Sequence, residues 1–543
     1  MKLNRIISGL LAAAMTFTMT ESALAAGIND VHVQNEVKNV ILLIPDGMST
    51  GALTLSRWYN GGNELNLDSM ASGLVRTYSS DAPIADSAPA GTAMATGYKS
   101  HTGFVGVLPD VNSMPGLEQL NPDDKRKPVA TILEAAQLDG KATGIIATSE
   151  IMHATPADFT AHDPSRKNYD SISEQQVYQE LNVVIGSGSK FFAEENRKDN
   201  EDLIAEIKKN YQYVTSPAEL RNITKGNLWA MFAPSALAYD FDRDPAKEPS
   251  IEEMTKKAIE LLSQDEDGFF LMVEGSKVDW AAHANDPIGV ISDVLAFDKA
   301  VGAALDFAKA DGNTLVIAAT DHGNSGISIG NSSTDNSYDK TPLSAFINPL
   351  KRASLTGEGI VSKLNDDHSN VAEVMSQYYG INDLTAEEIE AIKNTEDGDM
   401  NYTVGPMIGK RANIGFTTKG HTGEDVTLYV YAPANISQLT GTVENTDIAV
   451  YMEKAMGLDL DQATDRLFVK ARDVFESKGA KVEFNNSDVN NPVFIVEKDN
   501  IKIEMPINKN IAYVNGKAVK LDGVVVFNGI NVYVPQSAAD LIK

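Results

Sequence analysis

The stretch Val40-Ile41-Leu42-Leu43-Ile44-Pro45-Asp46-Gly47 decides the fold of this 543-residue chain. Its apolar residues form an unbroken run, which is typical of a parallel strand buried on both faces. A carboxylate, Asp46, follows the run at once and precedes a glycine. Similar apolar runs followed by Gly, Asp or Ser recur at 144–147, 183–185, 269–273, 315–319 and 428–431.

These apolar runs alternate with stretches of helical period, such as 129–138 and 252–262. The alternation predicts an α/β fold with a mostly parallel central sheet flanked by helices. In such folds, functional sites lie where loops leave the carboxyl ends of the strands. Asp46 is expected at that edge of the sheet.

The composition changes at two places along the chain. From about 325 to 419, Asn-, Ser- and Asp-rich segments and an acidic helix over 384–393 predict an inserted lobe. After Phe468, short apolar runs alternate with Asn, Asp and Gly turns, which predicts a β-rich region. The expected organisation is a signal peptide over 1–25, a main domain over 26–474 and a small β-rich domain over 475–543.

The first residues match a secretory signal peptide. Lys2 and Arg5 precede an apolar run over 6–17, and Ala23-Leu24-Ala25 provides small residues for cleavage. This pattern predicts export to the periplasm, the cell surface or the medium. The alternative is a short membrane anchor, but the run is shorter than the roughly 20 residues that a spanning helix needs.

Charge and cysteine content exclude several kinds of partner and site. The net charge of −29 argues against nucleic acid or an anionic membrane as a partner. The chain has no cysteine, which excludes disulfides and thiolate metal sites. Any anionic substrate therefore needs a local positive charge, which bound metal ions can supply.

Carboxylates and histidines follow the strand-like runs. Glu274 ends one run, and Asp279 and His283 lie four residues apart beyond it, on one face if the segment is helical. Such a pair can bind one zinc ion. Asp321-His322 and His421 lie beside other runs. Each feature taken alone has a simpler explanation. Asp46-Gly47 could form only a turn, and Asp279 and His283 could be a solvated pair on a helix.

Ser87 lies near the start of a small-residue segment, 86–97, that favours a tightly packed helix. Free backbone N–H groups and the helix dipole at that position favour an anion. The alternative is that Ser87 or Asp86 only caps the helix.

Taken in order, the motifs resemble those of the alkaline phosphatase family. They are IPDGM (44–48), DSAPAGTAMATG (86–97), HATPADFTAH (153–162) with SR (165–166), VEGSKVDWAAH (273–283), ATDHGN (319–324) and GHTGED (420–425). The resemblance spans about 37–468. It implies a catalytic domain that hydrolyses phosphate monoesters through a phosphoserine intermediate, with Ser87 as the nucleophile.

The resemblance also implies a set of two zinc ions and one magnesium ion for each chain. One zinc would be bound by Asp279, His283 and His421, and the other by Asp46, Asp321, His322 and Ser87. The third site, for magnesium or another divalent metal, would use Asp46, Thr155 and Glu274, with His153 nearby.

Arg166 would hold two phosphate oxygens through its forked guanidinium. Trp280 is also expected beside the substrate. The family's best-known bacterial form has Asp and Lys where this chain has His153 and Trp280, whereas other members share the His153 type of third site. Trp280 therefore removes a cation that could contact phosphate.

Other functions remain open at this stage. A sulfatase is disfavoured, because Gly91 stands where the sulfatase pattern needs an arginine. Phosphodiesterases tend to use threonine and lack the 86–97 segment. A non-catalytic surface protein that binds phosphate or metal is a third alternative.

The β-rich tail, from about 482 to 543, resembles the copper amine oxidase N-terminal-like module of secreted bacterial proteins. No copper is expected, because no histidine follows His421. Deleting the tail is expected to leave phosphatase activity largely intact. The tail could contact the cell surface, and the chain could form a homodimer. The inserted lobe could serve as a dimer contact or as a lid.

Overall fold

A computed structural model describes residues 27–543 of the protein. The predicted signal peptide, 1–25, lies outside the described residues. Between residues 27 and 543, no helix has both the length and the apolar character needed to cross a membrane.

The strands have the following bounds: β1 (Asn39–Ile44), β2 (Ala71–Arg76), β3 (Ala142–Glu150), β4 (Val183–Ser187), β5 (Gln212–Val214), β6 (Leu228–Met231), β7 (Phe269–Glu274), β8 (Thr314–Ala319), β9 (Gly323–Asn324), β10 (Ser328–Ile329), β11 (Ile414–Gly415), β12 (His421–Thr422), β13 (Val426–Tyr431), β14 (Gly441–Glu444), β15 (Val469–Lys470), β16 (Lys481–Asn485), β17 (Val493–Lys498), β18 (Ile501–Pro506), β19 (Ile511–Val514), β20 (Lys517–Lys520), β21 (Val526–Phe527) and β22 (Val532–Val534).

The α-helices have the following bounds: α1 (Thr50–Tyr59), α2 (Ser87–Thr96), α3 (Ile132–Leu138), α4 (Ala154–Ala157), α5 (Tyr169–Tyr178), α6 (Leu203–Asn210), α7 (Pro217–Asn222), α8 (Ile251–Leu262), α9 (Lys277–His283), α10 (Pro287–Asp311), α11 (Leu343–Leu350), α12 (Gly357–Val361), α13 (Val371–Tyr378), α14 (Ala386–Lys393), α15 (Met400–Arg411), α16 (Thr446–Met456), α17 (Leu460–Leu467), α18 (Ala471–Ser477) and α19 (Gln536–Ala539).

The central sheet has ten strands in the order β14-β2-β13-β8-β1-β7-β3-β4-β6-β5. β13 runs antiparallel to its neighbours β8 and β2, and the other neighbouring pairs are parallel. β1 lies near the middle of the sheet, where Val40 is paired with Phe270 on one side and Leu315 on the other. The predicted α/β fold with a mostly parallel sheet is confirmed.

Each face of the sheet is covered by an apolar core. Ile41 and Leu43 of β1 point into a core formed with α8 and α10, whereas Val40, Leu42 and Ile44 point into a core formed with α2, α3 and α16. All five side chains are fully buried. Burying each contributes about 1.5–3 kcal/mol, which explains why the run contains no polar residue.

The segment predicted as an inserted lobe, 325–419, forms α11 to α15 and the short pair β10–β11. Its apolar residues, such as Ile360 and Val404, join the core on the α10 side of the sheet. At the base of the segment, β9 pairs with β12 and brings His421 opposite Asn324. This pairing joins two motifs that lie almost 100 residues apart in sequence.

The C-terminal region is a small antiparallel β-structure, as predicted from its composition. β16 to β20 form a five-stranded sheet, and β15, β22 and β21 form a three-stranded one. Its own core includes Phe475, Phe494 and Ile503 and begins at Ala471. Val526 and Tyr533 instead join the core of the central sheet, so the region is packed on the main domain.

Candidate metal centre

The carboxyl ends of three adjacent strands bring together carboxylates from distant parts of the sequence. Asp46 follows β1, Glu274 ends β7 and Asp321 follows β8. Ile44 is the register partner of Glu274, which sets the two loops side by side. Among residues 27–543, the acidic and histidine side chains here form three groups whose possible ligand atoms lie within 4.8 Å of one another.

The first group consists of Asp279, His283 and His421. Asp279 and His283 lie on one face of α9, and His421 lies in β12. His283 Nε2 lies 3.3 Å from Asp279 Oδ2 and 3.1 Å from His421 Nε2. Two imidazole nitrogens and a carboxylate oxygen thus converge on one point, as ligands of a tetrahedral zinc do.

The second group consists of Asp46, Asp321 and His322, all fully buried. His322 Nε2 lies 3.1 Å from Asp321 Oδ2 and 3.6 Å from Asp46 Oδ1. Ser87 Oγ lies 3.1 Å from the same nitrogen. The group therefore contacts the hydroxyl of Ser87 through His322.

The third group consists of Asp46, His153 and Glu274. Thr155, in α4, is fully buried, and its Oγ1 has no hydrogen-bond partner among the described residues. Glu274 Oε1 and both carboxylate oxygens of Asp46 also lack hydrogen-bond partners within residues 27–543. Oxygen atoms left in this state are costly to bury unless a cation binds them.

The histidines of the first two groups are held in one tautomer by backbone carbonyls. Nδ1 of His283 donates to Lys419 O at 2.7 Å, Nδ1 of His421 to Ala85 O at 2.8 Å, and Nδ1 of His322 to Gly323 O at 3.2 Å. In the neutral ring, each Nε2 then presents its lone pair to the centre, as metal binding requires. This second hydrogen bond is the usual arrangement for metal-binding histidines.

Electrostatics support the same interpretation. Burial, followed by repulsion from Asp321, Asp279 and Glu274, raises the pKa of Asp46 well above its ordinary value. Burial also raises the pKa of Glu274 to about 8. A cluster of buried carboxylates cannot ionise together without cations, so the donor set fits bound divalent metal ions.

Ser87 is the first residue of α2, and Asp86 holds the N-cap position. The Asp86 side chain does not cap the helix; it forms an ion pair with Arg166 and accepts a hydrogen bond from Gly103 N at 3.1 Å. Ser87 is 2% exposed and faces His322. The geometry thus disfavours the alternative in which these two residues only cap the helix.

Arg166 and Trp280 lie beside the third group. Arg166 Nη2 donates to His153 Nε2 at 3.0 Å, and burial together with the charge of Arg166 lowers the pKa of His153 to about 3. The His153 and Trp280 rings meet edge to face, with centroids 5.9 Å apart. His153 is therefore a neutral residue between the predicted phosphate-binding arginine and the indole.

The structure adds supporting residues that the sequence analysis did not assign. Asn324 Nδ2 donates to Asp279 Oδ1 at 2.6 Å, and Ser149 Oγ donates to Glu274 Oε2 at 3.4 Å. Asp86, considered only as a cap, holds Arg166. Two features of the sequence could have indicated these roles. Asp86 directly precedes Ser87, and Asn324 belongs to the ATDHGN motif.

Comparisons with known proteins agree with this geometry. The alkaline phosphatase family model matches residues 37–458, and the copper amine oxidase N-terminal domain model matches 453–539. Alkaline phosphatase 4 of Bacillus subtilis is 38% identical over 434 residues, covering 76% of this chain and 87% of that protein.

Two solved structures are similar over most of the chain. The Thermus thermophilus alkaline phosphatase has a TM-score of 0.68 and 26% identity, covering 82% of this chain and 96% of its own. The cold-active alkaline phosphatase of Shewanella sp. has a TM-score of 0.66 and 28% identity, and the match covers 77% of this chain and 99% of that chain.

Proposed function

The chain belongs to the alkaline phosphatase family and is a phosphatase that acts on phosphate monoesters, and from that premise we propose that Ser87 is its nucleophile. The observation that carries the proposal is the position of Ser87 Oγ, 3.1 Å from His322 Nε2 at the start of α2. Free backbone N–H groups at this helix end favour the negative charge of a bound phosphate.

The ligand groups fit two zinc ions and one magnesium ion. Asp279, His283 and His421 would hold the first zinc, and Asp46, Asp321, His322 and Ser87 the second. Asp46, Thr155 and Glu274, with His153 beside them, would hold magnesium or another divalent metal. When bound, these ions would lower the pKa of the attacking hydroxyl and offset the charge of the carboxylates and the substrate.

The reaction proceeds in two displacements at phosphorus. In the first, a bond forms between Ser87 Oγ and phosphorus, the bond to the ester oxygen breaks, and the alcohol leaves with the proton. In the second, water cleaves the phosphoserine, so that Ser87 regains its hydroxyl proton and inorganic phosphate leaves. Arg166 orients the phosphoryl oxygens, and Asp86 and His153 hold its guanidinium.

Gly91 supports a phosphatase over a sulfatase. A Cβ on Gly91 would collide with the carboxylate of Asp158, so α2 lies too close to α4 for a larger side chain there. The sulfatase pattern needs an arginine at this position. The helix packing therefore explains why this chain cannot carry the arginine of the sulfatase pattern at position 91.

Hydrolysis of p-nitrophenyl phosphate tests the proposal. The wild type is expected to be active, to lose activity in EDTA and to recover it with zinc and magnesium. Ser87→Ala is expected to lose at least about 1,000-fold in kcat, while Asp46, Asp321 and His322 still hold most of the second zinc. Ser79→Ala, a buried serine with hydrogen bonds to Asp81 and Ala82, is the matched control and should stay active. Retained activity in Ser87→Ala would contradict the assignment of Ser87 as the nucleophile.

Export is part of the proposal, on the strength of the signal peptide pattern in 1–25. A periplasmic, extracellular or cell-surface location brings the enzyme to phosphate esters outside the cytoplasm. N-terminal sequencing of the mature protein tests it: cleavage near Ala25 or Ala26 is expected, and an intact N-terminus would contradict export by this route.

A further inference from the structure

The C-terminal region contacts the main domain next to the loop that carries Arg166, residues 163–168. The contact is made by Asn508, which lies between β18 and β19. Its Oδ1 accepts from Gln175 Nε2 at 3.2 Å and from Ser171 Oγ at 3.3 Å, and its Nδ2 donates to Glu174 Oε2 at 3.0 Å. These three partners lie on α5, the helix that directly follows the Arg166 loop.

Gln175 connects this contact to the loop itself. His162 N donates to Gln175 Oε1 at 2.8 Å, and Gln175 Nε2 donates to His162 O at 3.1 Å. One side-chain amide thus fixes both backbone groups of the residue before the loop. Within the loop, Asp163 Oδ1 accepts from Ser165 N at 2.9 Å and Asn168 Nδ2 at 2.8 Å. Hydrogen bonds, together with the peptide bond between His162 and Asp163, therefore connect Asn508 to residues on both sides of Arg166.

Lys509 adds charge to the same contact. Its Nζ lies 3.3 Å from Glu174 Oε1 and 2.7 Å from Glu201 Oε1. The Glu174 side chain is 5% exposed, so losing the lysine would make the ionised form of this buried carboxyl still less favourable. The ion pair therefore ties the 507–509 segment to one position on α5.

A second segment of the C-terminal region, 527–529, lines the same cleft as the loop. Asn528 Nδ2 donates to Arg126 O at 2.7 Å. Gly529 lies close enough to Pro164 that a Cβ added to it would be 4.0 Å from Pro164 Cγ. The cleft between the two segments and the loop has a volume of about 580 Å³. The Arg166 loop is thus flanked by the C-terminal region rather than by solvent alone.

We propose that Asn508 is a positioning residue for Arg166 and that the C-terminal region thereby strengthens phosphate binding at the metal centre. The proposal rests on the proposed function, since it assigns phosphate to Arg166. Asn508 does not touch the substrate; it holds α5 and the Arg166 loop in the orientation that Asp86 and His153 complete. The C-terminal region then supports phosphate binding. Its deletion should weaken that binding, contrary to the expectation that phosphatase activity stays largely intact without it.

Asn508→Gly tests the proposal without deleting the region. Asn508 has a φ of +67°, so glycine keeps the backbone conformation and removes only the side-chain contacts. The expected result is a rise of about 3–10-fold in KM for p-nitrophenyl phosphate and in the Kd of inorganic phosphate measured by calorimetry, with kcat within about twofold.

Asn515→Gly is the matched control. Asn515 also has a positive φ, +48°, but its side chain bonds only Lys502 N and Asn500 O within the C-terminal region. This variant should keep the wild-type KM, phosphate Kd and thermal midpoint. An equal effect in both variants would mean that any loosening of the C-terminal region suffices, and would overturn the role of Asn508.

A double-mutant cycle separates positioning from a general structural effect. If Asn508 acts through Arg166, Asn508→Gly should change phosphate affinity by less than about 1.5-fold in an Arg166→Ala background. The same fold-change in both backgrounds, or no change in the single variant, would overturn the proposal. Phosphate binding without Ser87-dependent hydrolysis would contradict the proposed function alone, whereas a wild type that does not bind phosphate would overturn both.

Discussion

At the scale of single residues, the metal centre depends on side chains and on one position that must lack a side chain. Gly47 has a φ of +68°, and a Cβ there would lie 2.5 Å from Asp279 Oδ1 and 2.9 Å from Asp279 Cα. The glycine thus allows Asp46 and Asp279 to approach each other. Sequence analysis identified the Asp-Gly pair, but the reason for the glycine is a residue 232 positions later in the chain.

Gly47→Ala is expected to lower kcat/KM by at least about 100-fold and to reduce zinc content. The positive φ alone costs about 1 kcal/mol for alanine, but the collision with Asp279 displaces a ligand. Gly312→Ala is the control, because Gly312 has a φ of +73° and no described atom lies within 4 Å of its added Cβ. Enzyme kinetics and metal analysis of both variants check this; equal losses would show that backbone strain is the cause.

At the scale of elements, helix α5 connects the C-terminal region to the Arg166 loop through buried polar contacts. Burial raises the pKa of Glu174 to about 7, although Lys509 and Asn508 act to lower it. Asp199, whose charge raises that pKa, and Arg197, whose charge lowers it, also act on this carboxyl. The helix therefore carries a carboxyl whose ionisation is unfavourable in the folded chain.

The unfolding free energy is expected to depend on pH through Glu174. The folded chain keeps this proton up to about pH 7, whereas the unfolded chain releases it near the ordinary value of 4.5, so the contribution of Glu174 to stability falls as pH rises from 4.5 to 7. The fall amounts to at most about 3 kcal/mol. In Glu174→Gln this slope should be absent.

The prediction is checked by denaturant unfolding of wild type and Glu174→Gln at pH 5, 6, 7 and 8 with saturating zinc. The measured quantity is the unfolding free energy of each protein at each pH. Glu201→Gln removes the other carboxylate partner of Lys509 and serves as the control for loss of an ion pair. Parallel pH curves for wild type and Glu174→Gln would contradict the prediction.

At the scale of the whole molecule, the proposed ligands come from seven separated segments; Ser87 begins α2, and His153 and Thr155 lie at the start of α4. β1, β7 and β8 carry carboxylates to one edge, α9 adds Asp279 and His283, and β12 adds His421. Asp46, Glu274, Asp279 and Asp321 are each less than 5% exposed. Bound cations are therefore expected to stabilise the fold as well as the reaction.

Metal removal is expected to lower the thermal midpoint. Each ion contributes about 4 kcal/mol when its concentration is a thousandfold above its Kd, and its loss leaves the carboxylates to repel one another. Asp46→Asn should raise the midpoint of the metal-free protein, because asparagine avoids the cost of keeping this buried carboxyl protonated, and should shrink the increase on adding zinc and magnesium. Differential scanning calorimetry with and without EDTA checks both. A midpoint that EDTA does not change would contradict a structural role for the ions.

The sequence by itself predicted the α/β fold, the β-rich C-terminal region and, through its motifs, the acidic and histidine residues that the structure brings together in three groups. Unbroken apolar runs specify buried strands, and most candidate ligands follow one of those strands or lie close to it in sequence, whereas Ser87 was predicted from the segment 86–97 and the motif resemblance. Distances between motifs were decided only by the tertiary structure. Examples are the pairing of β9 with β12, which sets His421 beside His322, the ion pair of Asp86 with Arg166, and the contact of Asn508 with α5. Such contacts join residues with no periodic relation in sequence, because the packing of whole elements sets which loops meet.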